Sequence, residues 1–395
     1  MRLTSSFAVF RAEPAEQDFA KARWLAREGR TSAAEQEYRT ALRVHPDIAA
    51  GWIELVELLR RSGRLEDALA TALQAEEHFG PDAAMPLVLK GAALSELGRT
   101  RDAVRALEAA LERDGNLALA WHELGYAAYR VGEFSRALLA LDRAFALEPH
   151  TDTLMLRGRI LRDAGQYEAA EVAFEGAHQA TDHDIPQREA AREVAATRRA
   201  ATLGGRRPAR FTPRERSFVE TGSAVIAGPQ AGAPTAALLA RCLAALPRLL
   251  EQLAWHPDLV AGATDSDAPL ARAVADALGV SAASAGAIHP PDRPLLVTVC
   301  NDGGSAWARH MERLERWGEG LTFALVQHPD IPSPADIVGI INAAPQADVV
   351  GAAAGALGHA DAGSEDTAET AQLMSNPMAP WQRRAQTKAE GGRQE

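Results

Sequence analysis

The sequence predicts a multidomain chain. An α-solenoid of five helix pairs and a capping helix is followed by a compact α/β domain with a mostly parallel sheet, and then by a disordered tail. Three observations carry this prediction. Small residues recur at a fixed period through the first half of the chain, and short apolar runs rich in β-branched residues replace that period from Thr212. Beyond Gly351 the composition turns to alanine, glycine and polar residues, which bury too little apolar surface to order a chain.

A ladder of glycines and alanines marks the repeat in the first half. The glycines stand 34, 35, 34 and 33 residues apart, at Gly29, Gly63, Gly98, Gly132 and Gly165. Alanines follow each glycine at fixed distances, at Ala34, Ala41, Ala68, Ala75, Ala103, Ala110, Ala137, Ala144, Ala170 and Ala177. A period of about 34 residues is the length of a helix–turn–helix repeat unit. The first half is therefore predicted to be a stack of such units, which is a binding scaffold.

The fourth unit shows how each repeat divides into two helices. Leu117–Arg130 carries apolar residues at the i, i+3, i+4, i+7 spacing of a buried helical stripe. Gly132 tolerates the positive φ that closes this helix. Phe134–Leu147 is predicted as the second helix, and Pro149 ends it.

This pattern resembles the tetratricopeptide repeat family. The fourth unit matches the family consensus at Trp121, Leu124, Gly125, Ala128, Gly132, Phe134, Ala137, Leu141, Ala144 and Pro149. The resemblance covers residues 14–180 and implies a concave groove, lined by the first helix of each unit, in which peptides dock. The residues predicted to form a peptide-binding site in this groove are His122, Tyr126, Tyr129, Arg130, Arg159 and Arg162. Further polar residues that project onto the same face include Arg23, Glu57, Arg60 and Glu123.

The composition of this predicted groove favours a protein or peptide partner of acidic character. Arginine forks suit carboxylates, and tyrosines supply amphipathic contact area. The lysines and asparagines with which the family clamps the carboxylates of chaperone tails are absent from these positions. The alternative is that the charges only solvate a helix face.

The predicted domain limits follow from where the periodicity changes. Residues 1–13 are an N-terminal extension, and residues 14–203 contain the repeats and a capping helix, Arg188–Leu203, which shields the last repeat. A Gly/Pro/Arg stretch over 204–211 breaks every period and is predicted as a linker. Residues 212–351 form the α/β domain, and 352–395 form the tail.

The α/β domain is predicted from apolar runs that alternate with helical stretches. The predicted strands are Ser223–Ala227, Leu259–Ala261, Leu295–Cys300, Leu321–Gln327 and Asp348–Val350. The predicted helices are Ala236–Ala254, Leu270–Leu278, Ser305–Trp317 and Pro334–Ala343. Near-continuous apolar strands separated by helices are typical of a parallel sheet that helices cover on both faces.

Ligands of such sheets bind outside the carboxyl ends of the strands. The candidate ligand site at these ends consists of Asp265, Asp302, Gly303, Gly304, His328 and Asp330. The alternative is that the aspartates are helix N-caps, whose oxygens accept from free amides. No phosphate-binding signature accompanies the glycines. As a ligand site, the three aspartates and His328 would be suited to a divalent metal or to acid–base chemistry. With the aspartates interpreted as caps, the sequence predicts no cofactor and no metal.

Composition narrows the function classes. The formal net charge of −11 argues against a nucleic-acid binder, which usually presents a basic field. The two cysteines, Cys242 and Cys300, are too few for a disulfide framework. No stretch approaches the ~18 apolar residues of a membrane helix, and the apolar patch Phe7–Phe10 is too short for a signal peptide. We expect a cytoplasmic protein that binds no membrane.

Two functions from different classes remain open. The first is a cytoplasmic scaffold or adaptor whose groove binds a protein and whose α/β domain is a second interaction or regulatory module. The second is a small-molecule or nucleotide-acting enzyme with its active site at the strand ends and its repeats as recruiters. Trp381, which stands beside arginines in the predicted tail, is either a short docking motif or part of an inert segment.

Overall fold

A computed structural model describes residues 15–181, 183–227, 235–289, 292–317, 319–328, 334–341 and 364–384. These residues form two compact units, Met1–Val194 and Ala195–Glu395. The division lies inside the predicted capping helix rather than at the predicted linker 204–211. The linker residues belong to the second unit, because Phe211 is buried there and Arg206 pairs with Glu215.

The first unit is an array of antiparallel helix pairs, as the ladder predicts. Its helices are α1 (Ala15–Arg27), α2 (Thr31–Val44), α3 (Ala49–Arg61), α4 (Leu65–Phe79), α5 (Ala84–Glu96), α6 (Thr100–Arg113), α7 (Ala118–Arg130), α8 (Phe134–Leu147), α9 (Thr151–Asp163) and α10 (Tyr167–Ala180). The next helix, α11 (Asp184–Ala201), contains the division between the units. Among its described residues the repeat region has helices and no strand.

The ladder glycines have the conformation that their spacing requires. Each stands in the turn between the two helices of its unit with a positive φ, 79° at Gly132 for example. Only a residue without a Cβ adopts this backbone at little cost. A second kind of glycine lies inside the first helices, where it allows close approach. A Cβ on Gly125 would lie 2.8 Å from the side chain of Leu141, so only glycine fits there.

Every ladder alanine is buried, with an exposed fraction of at most 4%. Ala137 is fully buried on α8, and its carbonyl oxygen would lie 3.2 Å from a Cβ on Gly125.

We expect Ala137→Leu to lower the free energy of unfolding by ~1–3 kcal/mol, because a longer side chain overpacks the crossing of α7 and α8. Denaturant titration of the full chain, with peptides from α7 and α8 followed by hydrogen exchange, measures the loss. Ser135→Leu, at an exposed site on the same helix, is the control, and equal stability of the two variants would contradict the assigned packing.

The second unit contains a six-stranded sheet in which every described pairing is parallel. Its strands are β1 (Ala224–Val225), β2 (Leu259–Gly262), β3 (Ser281–Ser284), β4 (Pro294–Asn301), β5 (Leu321–Gln327) and β6 (Ile337–Ile341), in the spatial order β1-β6-β5-β4-β2-β3. Its further helices are α12 (Pro213–Thr221), α13 (Ala236–Gln252), α14 (Ala268–Leu278), α15 (Ser305–Trp317) and α16 (Ser364–Met374).

Both faces of this sheet are covered in its centre, which is why its central strands are largely apolar. Leu295 and Val297 of β4 belong to the core that includes α13. Leu296, between them, belongs to the core on the other face with Trp307 and Met311 of α15. Successive side chains of a strand point to opposite faces, so a central strand here is covered on both sides and most of its positions are apolar.

One predicted helix of the second unit is wrong, and one strand was not foreseen. Pro334–Ala343 was predicted as a helix, but Ile337–Ile341 is β6, which pairs with β1 and β5. A Cβ on Gly339 would lie 2.4 Å from the carbonyl oxygen of Leu325. The glycine therefore allows the backbone of β6 to lie close to that of β5, with which it pairs. The unforeseen strand is β3, which lies at the sheet edge and has little apolar surface. The predicted strand Asp348–Val350 lies outside the described residues.

The prediction of a disordered tail over 352–395 is wrong for residues 364–384. Helix α16 packs on α13, and Leu373 and Met374 are buried in the core beneath the sheet. The indole Nε1 of Trp381 donates to the carbonyl oxygen of Met374 at 2.9 Å. Leu373, Met374 and Ala379 are buried in a core that α13 and the strands also form, and this contact holds the segment in place. Trp381 is therefore a packing residue of its own unit.

Candidate functional site

The first helices of successive repeats pack side by side and form one surface, which we name the first-helix face. Contacts join α3 to α5, α5 to α7, and α7 to α9. A cleft of about 310 Å³ opens on this face. Its lining residues are Arg60, Glu96, His122, Glu123, Tyr126, Thr151, Asp152, Met155, Leu156, Arg159, Pro186 and Glu189.

A cluster of three carboxylates around one guanidinium lies beside this cleft, and we name it the Arg60 cluster. Arg60 donates to Glu96 Oε1 from Nε at 3.0 Å and from Nη2 at 2.8 Å. Its Nη1 donates to Glu123 Oε1 at 3.0 Å and to Glu57 Oε2 at 3.2 Å. These bonds connect α3, α5 and α7.

The carboxylates of the Arg60 cluster are only partly neutralised. Burial would lower the pKa of Arg60, but the nearby carboxylates of Glu123, Glu57 and Glu96 outweigh it and raise that pKa. Partial burial and the charges of Glu123 and Glu96 raise the pKa of Glu57, against the opposing effect of Arg60. Both shifts follow from an excess of negative charge around one cation.

Glu123 is the buried member of this cluster. It is 5% exposed, and its Oε2 has no hydrogen-bond partner among the described residues. A buried carboxylate oxygen without a partner carries a desolvation cost of about 1–3 kcal/mol or more. The residue therefore contributes an acceptor that the described part of the chain leaves unused.

His122 and Tyr126 border the same cleft from α7. The Nδ1 of His122 lies 3.1 Å from Thr153 Oγ1 on α9. Burial lowers the pKa of His122, against the charges of Glu123 and Asp152, so the imidazole is neutral near pH 7. Arg130 donates from Nη1 to the hydroxyl of Tyr126 at 3.2 Å and lies 5.9 Å from its ring centroid, which holds the tyrosine at the rim.

The remaining residues of the predicted groove site are engaged within the unit. Tyr129 donates its hydroxyl to Asp163, and burial together with this bond raises the pKa of Tyr129 to about 12. Arg159 donates to Glu189 Oε1 at 2.8 Å, and Arg162 pairs with Glu193. Both acceptors lie on α11, so these pairs connect the last repeat to its capping helix.

The structure brings three of the six predicted groove residues into the cleft, namely His122, Tyr126 and Arg159. Tyr129, Arg130 and Arg162 lie on the same helices but do not line it. Glu96, Glu189 and Glu193 were not predicted, because glutamate at these positions matches no motif. The sequence spacing could have indicated them. Each of these glutamates lies about one repeat length after an arginine of a first helix.

The carboxyl edge of the sheet in the second unit has a separate cleft of about 470 Å³ between the ends of β2 and β3. Of the residues predicted for this edge, Asp265 lines it. Asp302 Oδ1 instead accepts from the amide of Gly304 at 3.0 Å, and Gly303 takes a positive φ of 79° in the same turn. The backbone amide of His328 donates to Asn301.

Asp267 is a buried residue at this edge that accepts several hydrogen bonds. Asp267 accepts from the amides of Thr264 and Val299 and from the hydroxyls of Thr264 and Thr298, so it stabilises the loop between β2 and α14. Asp330 lies outside the described residues. Among the described residues no group of three or more histidine, cysteine or acidic side chains is arranged to hold a metal ion. A membrane crossing would need a longer and more apolar helix than any in the described part of the chain.

Comparison with known proteins gives a family for the first unit. A family model described as "Tetratricopeptide repeat" matches residues 19–84 and 122–184. No curated protein matches the chain.

Several solved structures are similar to part of this chain at low sequence identity. A thermophilic TPR protein of Thermus thermophilus has 18% identity and a TM-score of 0.41, over 46% of this chain and 98% of that one. The APC/C hetero-tetramer Cut9–Hcn1 has 18% identity and a TM-score of 0.41, over 49% of this chain and 38% of that one. Yeast Tom70 has 15% identity and a TM-score of 0.38, over 47% and 40%. The family match and the phased helix pairs together show that residues 19–84 and 122–184 of the first unit are tetratricopeptide repeats.

Proposed function

We propose that this chain is a scaffold or adaptor that binds a protein partner on the first-helix face. The observation that supports this most directly is the cleft, because it lies on the face where the helices of a tetratricopeptide array dock peptides. Its volume of about 310 Å³ is at the lower end of the ~300–1,000 Å³ of small-molecule pockets. A cleft of this size suits individual side chains of a partner rather than a cofactor.

The chemistry of the face also suits a protein surface. Tyr126 and Met155 line the cleft, and tyrosine, methionine and arginine are enriched in protein interfaces. Arg130 stands exposed at its edge. Apolar, aromatic and charged groups therefore lie together, as in an interface with an apolar centre and a polar rim.

The predicted preference for an acidic peptide is not part of this proposal. It depends on arginine forks that can receive carboxylates, and Arg159 and Arg162 already pair with Glu189 and Glu193. An acidic ligand would have to displace these pairs. Within the proposal the two arginines stabilise the capping helix, and the partner contacts the cleft in front of them.

The second unit is proposed as a further interaction or regulatory module, and the chain as a cytoplasmic protein. Cys242 and Cys300 are not joined in a disulfide, which is in keeping with a reducing compartment. The rival assignment, an enzyme acting on a small molecule, has the cleft at the ends of β2 and β3 as its support. That cleft is lined mainly by alanine, glycine and serine, and its larger polar side chains are Asp265, Arg272 and His310. Asp302 and Asp267 are engaged as caps near it, so we favour the scaffold.

Site-specific photo-crosslinking tests the proposal. A photoreactive amino acid at position 126 should capture a discrete protein in living cells, because this residue lies at the cleft. The same amino acid at position 139, where Leu139 of α8 is 64% exposed, is the control for crosslinking from a second helix. Capture of the same proteins from both positions, or of none from position 126, would rule out the first-helix face as the binding surface.

A further inference from the structure

The cleft on the first-helix face carries an excess of negative charge. Its lining includes the carboxylates of Glu96, Glu123, Asp152 and Glu189 and the guanidiniums of Arg60 and Arg159, which is four negative groups against two positive ones. His122 adds no positive charge, because its pKa is lowered. Glu57, at the edge of the Arg60 cluster, adds a further carboxylate. The two arginines do not neutralise this cleft.

Glu123 provides a second, independent sign of a missing donor. Its Oε1 accepts from Arg60, whereas its Oε2 is buried without a partner among the described residues. The nitrogens of Arg60 already donate to other oxygens: Nε and Nη2 donate to Glu96, and Nη1 donates to Glu123 Oε1 and to Glu57. A cationic donor that enters the cleft would satisfy the oxygen and balance the charge together.

We infer that this cleft receives a cationic side chain of the protein partner, an arginine in preference to a lysine; the inference rests on the proposed function and names the chemistry of its partner. The carboxylates come from different helices, α5, α7, α9 and α11, so one cation has to bridge separate acceptors. A guanidinium presents five donors in a planar fork and bridges such acceptors, and charge-assisted pairs of this kind are the stronger hydrogen bonds. An ammonium group is more strongly hydrated and loses more on entering a half-buried cleft.

The test uses the full-length protein and small probes that differ in one group. N-acetyl-arginine amide, N-acetyl-lysine amide, N-acetyl-citrulline amide and N-acetyl-glutamate amide are titrated at low salt and followed by ligand-observed NMR. Citrulline has nearly the shape of arginine without its charge. We expect the arginine probe to bind at least about tenfold more tightly than the citrulline probe, since a hydrogen bond to a charged group has about this effect. The lysine probe should fall between them.

Two glutamine variants assign the binding to the cluster. Glu123→Gln and Glu57→Gln should each reduce the affinity of the arginine probe towards that of the citrulline probe. The side chain of Glu57 is 49% exposed, so this variant folds even if Glu123→Gln does not. Glu112→Gln, at an exposed site on α6, is the matched control, because it removes the same charge from the protein at a distance from the cleft. Its affinity for the arginine probe should equal that of the unmodified chain.

Several outcomes would overturn the inference. Equal binding of the citrulline and arginine probes would remove the need for charge, and an equal loss in Glu112→Gln would assign the effect to net charge alone. Preference for the glutamate probe would reverse the sign of the partner while leaving a protein-binding face intact. Conversely, selective arginine binding together with no capture from position 126 would sustain the cationic cleft and refute the scaffold function.

Discussion

Replacing Arg384 with methionine should lower the free energy of unfolding of the second unit by ~3–5 kcal/mol, the effect of removing one partner of a buried ion pair. Arg384 donates from Nη2 to Asp336 Oδ2 at 2.5 Å, and the side chain of Asp336 is 1% exposed. The amide and hydroxyl of Thr322 also donate to this oxygen, but they bring no charge. Without Arg384 the carboxylate would be left buried and uncompensated.

Urea titration of the full chain, with hydrogen exchange followed in peptides from β5 and β6, measures this loss in the second unit alone. Arg272→Met is the control, since this arginine of α14 is exposed and surface substitutions usually change stability by about 0.5 kcal/mol or less. Adding Asp336→Asn to the Arg384 variant should recover part of the loss, because it removes the stranded charge. If the two arginine variants unfold alike, the buried pair does not hold residues 364–384 in place.

Phe174→Ala should destabilise the first unit by ~3–5 kcal/mol, the usual effect of removing a fully buried aromatic ring. Phe174 of α10 is 0% exposed, and its ring fills the space left by Gly158, where an added Cβ would lie 2.7 Å from ring atoms. The ring also lies 5.5 Å from the guanidinium carbon of Arg162. The cavity would therefore affect both the helix crossing and the arginine that pairs with the capping helix.

Hydrogen exchange of peptides from α9, α10 and α11 during denaturant titration measures the effect of this substitution. Val172→Ala changes a residue of the same helix that is 66% exposed, and it should leave the unfolding midpoint nearly unchanged. Repeats interact mainly with their neighbours, so peptides from α1 and α2 should be affected least. Uniform loss of protection across the whole array would contradict this local account of the packing.

The first unit was predictable because its structure is set by local, repeated positions. Each ladder glycine and alanine has the same neighbours in every unit, so one pattern gives the helices, the turns and the buried faces together. The register also places His122 and Tyr126 on a shared face. It does not give the pairing of charges, because Arg60 reaches Glu123 over 63 residues of sequence and a choice among several acceptors depends on side-chain conformation.

The second unit was predictable only where a strand is long and apolar. β5 is buried at every residue and β4 at all but two of its residues, and both were recognised as strands. The residues of β6 form a short apolar run followed by alanines, and periodicity alone does not separate a buried strand from a buried helix in such a run. Residues 364–384 contain few large apolar side chains, and their order depends on a surface supplied by α13 and by Val225, whose carbonyl oxygen accepts from Thr370.

The pairing of β1 with β6 has a consequence for the order in which the chain matures on the ribosome. A tetratricopeptide repeat completes its contacts within itself and with the next unit, so the first unit can fold while synthesis continues. The sheet is different, because β1 pairs with β6 and cannot do so until β6 has been synthesised. Helix α16 is synthesised after β6. Until Ile341 has emerged, β5 presents an unpaired apolar edge, which is a site for association with other chains. A nascent polypeptide of this sequence therefore combines a folded repeat array with an unfinished sheet that depends on β6 and α16.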